Sequence, residues 1–211
     1  MTTLPTSDPR KSLAGALYAI IDLEASDSVL AHADRALAIR PAWLQLRAKT
    51  CDDQTWIELA STLRERCTRT ATPFVINDRA DIAKIVEADG LHLGQDDLGI
   101  EDARRLVGEM TIGISTHDLE QAIEAERRGA DLVAFGPVFD TATKRNPDPT
   151  VGLDALARVC GAVRAPVVAI GGIQPANAQS VLRAGAAYLA VISALPEFLT
   201  AIEAQRRSSK Y

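Results

Sequence analysis

Aromatic side chains are scarce, only 4% of 211 residues, although hydrophobic residues make up 47%. A core of that composition is built from Ala, Val, Ile and Leu, small and branched groups that suit parallel strands covered by helices on both faces. Cysteine is scarce too. Cys51, Cys67 and Cys160 show no metal-ligand spacing, and an odd number in a chain this long reads as reduced thiols of a cytoplasmic protein, not a disulfide framework. No apolar run reaches the roughly 20 residues that span a bilayer. The polar start, with Pro5, Asp8 and Pro9, lacks the apolar centre of a signal peptide. A basic stripe is missing as well. The net charge is −5 with Lys and Arg dispersed, which argues against nucleic acid as the main partner. An anionic small molecule stays compatible, because local charge at a site decides that.

What is present is an alternation of short apolar runs and longer amphipathic stretches. The runs are Leu17–Ile21, Trp43–Leu46, Pro73–Ile76, Gly90–Leu93, Thr111–Ile114, Leu132–Phe135, Pro166–Ile170 and Tyr188–Ile192. Their length predicts parallel strands buried on both faces. Helical spacing follows them. Ala122, Ile123 and Ala125 are expected to face inward, as are Leu156, Val159 and Val163. Eight β-then-α units exhaust the chain and predict an α/β fold, a single (β/α)8 TIM barrel over residues 1–211. Residues 1–14 are then a polar extension and 205–211 a frayed tail. An open doubly wound sheet is the alternative. It would carry a glycine fingerprint after the first strand, where Asp22-Leu23-Glu24 stands instead.

In such a barrel the C-terminal strand ends form the active face. Strand two ends in Gln45, Arg47 and Lys49, which alternation places on one side. Strand three ends in Asn77 and Asp78, strand four in Asp96 and Asp97, strand five in Ser115 and His117. A long polar loop, Asp140 to Thr150, follows strand six and has the composition of a functional lid. Gly171-Gly172 and Ile192-Ser193 close the last two strands. Two carboxylates at neighbouring strand ends, completed by substrate oxygens, are how Mg²⁺ is commonly held. Arg47, Lys49 and Lys144 could surround an anion. Close backbone approach at Gly172, beside the positive start of the helix near Pro175, suits a second phosphate. Each residue also has a plainer use: Asp78 and Asp97 as helix caps, His92 as a core histidine, Gly171-Gly172 as a tight turn. No paired nucleophile and base is evident.

Taken in order, several stretches resemble thiamine phosphate synthases of the synthase/thiazole tautomerase superfamily, over roughly Leu17 to Leu195. They include Gln45-Leu46-Arg47-Ala48-Lys49, Ile76-Asn77-Asp78-Arg79, Gly90-Leu91-His92-Leu93-Gly94-Gln95-Asp96-Asp97, Thr141-Ala142-Thr143-Lys144, Ile170-Gly171-Gly172 and Ile192-Ser193-Ala194. The resemblance implies a Mg²⁺-dependent transferase that joins a hydroxymethylpyrimidine diphosphate to a thiazole phosphate and releases diphosphate. It implies that Gln45, Arg47, Lys49, Asn77, Ser115 and Lys144 hold the pyrimidine diphosphate and that Asp78 and Asp97 bind the metal. Thr141, Thr143, Gly172, Ile192 and Ser193 would hold the thiazole phosphate. It also implies a homodimer. A thiazole tautomerase on the same barrel is the nearest rival, and it tends to lose the diphosphate-binding residues kept here. A barrel that binds a thiamine precursor without turning it over is the other; it would need no metal pair.

Overall fold

The computed structural model describes residue 10 and residues 12–25, 28–141 and 149–208. Eight parallel strands close into one barrel in sequence order. They are β1 (Leu17–Asp22), β2 (Trp43–Arg47), β3 (Phe74–Asn77), β4 (Gly90–Leu93), β5 (Thr111–Thr116), β6 (Leu132–Phe135), β7 (Val167–Ile170) and β8 (Tyr188–Val191). After a short α1 (Leu13–Ala16), one helix follows each strand: α2 (Val29–Ala38), α3 (Asp53–Thr70), α4 (Ala80–Ile85), α5 (Ile100–Val107), α6 (Leu119–Arg127), α7 (Gly152–Ala162), α8 (Pro175–Arg183) and α9 (Leu195–Ser208). The doubly wound alternative is therefore set aside, since β1 pairs with both β2 and β8. Every strand falls where an apolar run predicts it. Several run one or two residues further, so Asp22, Arg47, Asn77, Ser115 and Thr116 stand on strands and not in loops.

Alternation along the strands divides the core in two. One set of side chains, including Leu17, Leu44, Ile76 and Leu91, packs outward against the helices. The other fills the barrel: Tyr18, Trp43, Val75, Leu132, Val168 and Tyr188 form its apolar floor. Towards the C-terminal ends the same inward positions turn polar, as Gln45, Asn77, His92 and Ser115. Helix starts are fixed locally. Asp52 accepts from Thr55 N at 2.9 Å and Asp118 from Gln121 N at 2.8 Å, which satisfies orphan N–H groups at α3 and α6. Trp56 donates from Nε1 to Ala48 O at 3.1 Å and pins the loop after β2.

One expectation fails. Ile123 is 45% exposed, while Ala122 and Ala125 are buried. Successive helical residues turn by about 100°. With two alanines three apart held against the strands, the residue after the first swings towards solvent.

Candidate active site

The polar strand ends surround one open cavity of ≈ 760 Å³ at the C-terminal mouth. Gln45, Arg47, Lys49, Asn77, Asp78, Asp97, Ser115, Thr141, Gly172, Ile192 and Ser193 all line it. Thr143, Lys144 and Arg145 lie outside the described residues. The ends of that loop are clasped, because Thr150 Oγ1 donates to Asp140 Oδ1 at 2.6 Å.

Asp78 and Asp97 do not cap helices. The N-cap positions, just before α4 and α5, are held by Arg79 and Gly99. Asp78 sits in the left-handed region, φ 63°, which Asp and Asn tolerate better than most residues. Its N–H donates to His92 O at 2.8 Å, so the turn after β3 is tied to β4. Asp97 closes the next turn by accepting from Gly94 N at 2.7 Å. Asp96 also borders the cavity, but Asp97 is the residue whose carboxylate meets Asp78. The Asp78 carboxyl is pushed up to about 6, first by burial and then by its hydrogen bond to Asp97 and that residue's charge; Lys49 and Arg47 oppose the rise. Two converging carboxylates with no third acidic, His or Cys ligand among the described residues fit a hard cation whose remaining ligands are water and phosphate oxygens.

The raised value has a consequence for stability. The folded protein holds the Asp78 proton more tightly than the unfolded chain does. That contribution is full below about pH 4 and is lost as pH rises through about 6. In EDTA at pH 7.5, Asp78→Asn should therefore raise the melting temperature. About 1 kcal/mol, or ~2–4 °C, is expected after solvent screening. A thermal scan at pH 4 should show the gain gone.

Beside the carboxylates stand Arg47 and Lys49, with Lys49 Nζ 4.0 Å from Asp78 Oδ2. Arg47 Nη1 is bonded to Asp22 Oδ2, and Glu24 Oε2 lies 3.6 Å from the same nitrogen. Glu24 also accepts from Lys49 N at 3.1 Å. Nothing local in the sequence marks Asp22 and Glu24. The missing signal was register, since Asp22 stands directly beside Arg47 across β1 and β2. Among the described residues, Arg47 and Lys49 thus stand close to four carboxylates, those of Asp22, Glu24, Asp78 and Asp97.

His92 is not an isolated core histidine. Its Nε2 shares a hydrogen bond with Ser115 Oγ at 2.9 Å, and both line the cavity. Burial pushes the imidazole down to about 4, against the pull of Asp97, so it is neutral near pH 7. The ring fits because residue 113 is glycine: a Cβ there would lie 2.8 Å from His92 Nδ1. Gly113→Ala should cost about 1–3 kcal/mol in denaturant unfolding. A crystal structure of that variant should show His92 drawn off Ser115.

The strand-seven glycines are explained by packing. A Cβ on Gly172 would lie 2.5 Å from Asp140 O, and one on Gly171 2.5 Å from Pro137 Cα. Both also take positive φ, 98° at Gly171 and 61° at Gly172. Asn177 Oδ1 accepts from Gln174 N at 2.9 Å and its Nδ2 donates to Gly172 O at 3.0 Å, which holds this turn against the start of α8. The turn and the Ile192-Ser193 end of β8 face the metal-binding candidates across the shared cavity.

The chain matches the family model described as thiamine monophosphate synthase over residues 17–195. It is 42% identical over 181 residues to a thiamine-phosphate synthase of Chloroflexus aurantiacus, covering 85% of this chain and 84% of that one. It is 45% identical over 183 residues to a thiamine-phosphate synthase of Methanocella arvoryzae, covering 85% and 86%. A solved thiamine phosphate pyrophosphorylase from Pyrococcus furiosus superposes with TM-score 0.82 at 34% identity, covering 91% of this chain and 94% of that one. An N-acetylmannosamine-6-phosphate 2-epimerase from Clostridium perfringens shares the barrel alone, with TM-score 0.65 at 16% identity. With the match spanning every strand of the barrel, the chain belongs to the thiamine monophosphate synthase family.

Proposed function

We propose that this transferase joins a hydroxymethylpyrimidine diphosphate to a thiazole phosphate and releases diphosphate. One observation carries the reading. A single cavity is lined by the Asp78 and Asp97 carboxylates with Arg47 and Lys49 on one side, and by the Gly172 turn with Ser193 on the other. That is room for two anionic substrates with their reactive ends between. Asp78 and Asp97 would hold Mg²⁺, which when bound neutralises charge on the departing diphosphate. Arg47 and Lys49 add hydrogen bonds and charge where negative charge grows, in a site that needs no reorganisation during reaction. The pyrimidine ring delocalises the cation left on its methylene carbon. The thiazole nitrogen, anchored through its own phosphate near Gly172 and Ser193, attacks that carbon. Positioning and electrostatics supply the rate, and no covalent bond to the protein is required. His92 keeps the Ser115 hydroxyl oriented in the wall beside the pyrimidine site.

The purified protein, given both substrates and Mg²⁺, should form thiamine phosphate and diphosphate in equal amounts. Tautomerisation of a thiazole carboxylate without thiamine phosphate would sink this reading and favour the isomerase. Cys51, Cys67 and Cys160 are unpaired thiols, which supports a cytoplasmic setting. No helix among the described residues is long and apolar enough to cross a membrane. The homodimer is part of the same proposal, and a sedimentation experiment showing only monomer would remove it.

A further inference from the structure

Tyr18 lies on β1 below the charged mouth, and its ring is fixed against Trp43, with centroids 6.2 Å apart and planes at 28°. Its hydroxyl donates to Gln45 Oε1 at 2.8 Å, and Gln45 Nε2 donates to Asn77 Oδ1 at 3.0 Å. Tyr18 and Gln45 are each 2% exposed, so bulk water does not compete for these bonds. Three neighbouring strands thereby present one chain of hydrogen bonds along the inner wall, and all three residues border the cavity.

The chain has one self-consistent direction. The phenol carries one proton, and Gln45 is its hydrogen-bond partner. Run backwards, Gln45 Nε2 would donate to the Tyr18 oxygen and the buried phenolic proton would lose the acceptor that Gln45 Oε1 gives it. Burial also raises the Tyr18 hydroxyl far above its ordinary range, so that proton is always present. Once Tyr18 occupies the Gln45 oxygen, the Gln45 nitrogen must turn to Asn77 and take the Asn77 oxygen. Asn77 is left with its amide N–H groups to offer. An asparagine whose amide could flip would offer an acceptor half the time, which repels a phosphate.

We propose that Tyr18 is a positioning residue: it sets the direction of the Tyr18–Gln45–Asn77 chain so that Asn77 faces the cavity as a donor to the pyrimidine diphosphate. The inference rests on the substrate proposed above.

Tyr18→Phe removes the hydroxyl and keeps the ring on Trp43. The KM for the pyrimidine diphosphate should rise roughly five- to tenfold, the equivalent of one hydrogen bond. The KM for the thiazole phosphate and kcat should stay within about twofold. In an Asn77→Ala background the same substitution should change neither KM further, because the group that it orients is gone. An equal rise in both KM values, or an undiminished effect in the Asn77→Ala background, would overturn the proposal. A ligand-free measurement separates it from the substrate reading. The Gln45 side-chain amide protons, identified by their loss in Gln45→Glu, should be protected from solvent exchange in the parent and exchange at least about tenfold faster in Tyr18→Phe. If the parent forms no thiamine phosphate, the reaction reading fails and this comparison alone decides the role of Tyr18. Unchanged protection would then overturn it.

Discussion

Asp78→Asn and Asp97→Asn should each lower kcat/KM for thiamine phosphate formation roughly 10²–10³-fold and raise the Mg²⁺ concentration needed for half-maximal rate. The two carboxylates approach each other within hydrogen-bond reach, and burial makes the Asp78 charge unfavourable, only partly offset by Lys49 and Arg47. Asparagine keeps the shape at both positions. It tolerates the left-handed backbone at residue 78, and its oxygen can still accept from Gly94 N at residue 97. What is lost is charge, so the rate loss can be read as loss of metal. The expected pairing for Asp78→Asn is unusual: higher metal-free stability together with a large loss of rate. Turnover and Mg²⁺ dependence both matching the parent would remove the metal role and leave the pair as a polar turn contact.

Arg47 should resist conservative replacement. Arg47→Lys keeps the charge, but its one ammonium would be drawn to Asp22, whose side chain is only 3% exposed. Arginine can satisfy that buried carboxylate with one nitrogen and still present the rest of its planar fork to phosphate; lysine cannot do both. We expect kcat/KM for the pyrimidine diphosphate to fall about 10²-fold in Arg47→Lys. Arg47→Met should be worse in another way, leaving Asp22 buried without its partner at a cost of about 3–5 kcal/mol. Pairing it with Asp22→Asn should restore most of the stability and none of the activity. That split, read from denaturant unfolding and steady-state kinetics on the same proteins, separates charge neutralisation inside the fold from substrate binding. If Arg47→Lys retained parental kinetics, the fork would have no role in anion binding.

The barrel was legible because its strands are buried on both faces. A run such as Val167–Ile170 can hardly be anything else between two helices, and eight such runs leave closure as the natural topology. Period-two alternation also puts Gln45 and Arg47 on one side of β2; barrel closure makes that side the inner one, and the same parity on β4 points His92 inward. A core histidine is nonetheless the plain reading of His92 from sequence, because its contact depends on Ser115 of the next strand and on the missing Cβ of Gly113. Asp22 and Glu24 were missed for a related reason. An acidic residue at a strand end carries no message until the strand beside it, and its register, are known.

The amino-acid sequence by itself determined the strands, their order and the polar residues that end them, since those follow from local periodicity and from where apolar runs stop. Tertiary structure decided the pairings. It brought the Asp97 carboxylate against Asp78 through the geometry of one turn, set Asp22 against Arg47, joined Tyr18, Gln45 and Asn77 by hydrogen bonds and turned Ile123 out to solvent. Each of these depends on atoms from segments distant in the chain, or on the rotation of a packed helix, and hydrogen bonds and steric exclusion act only once closure has brought those atoms together.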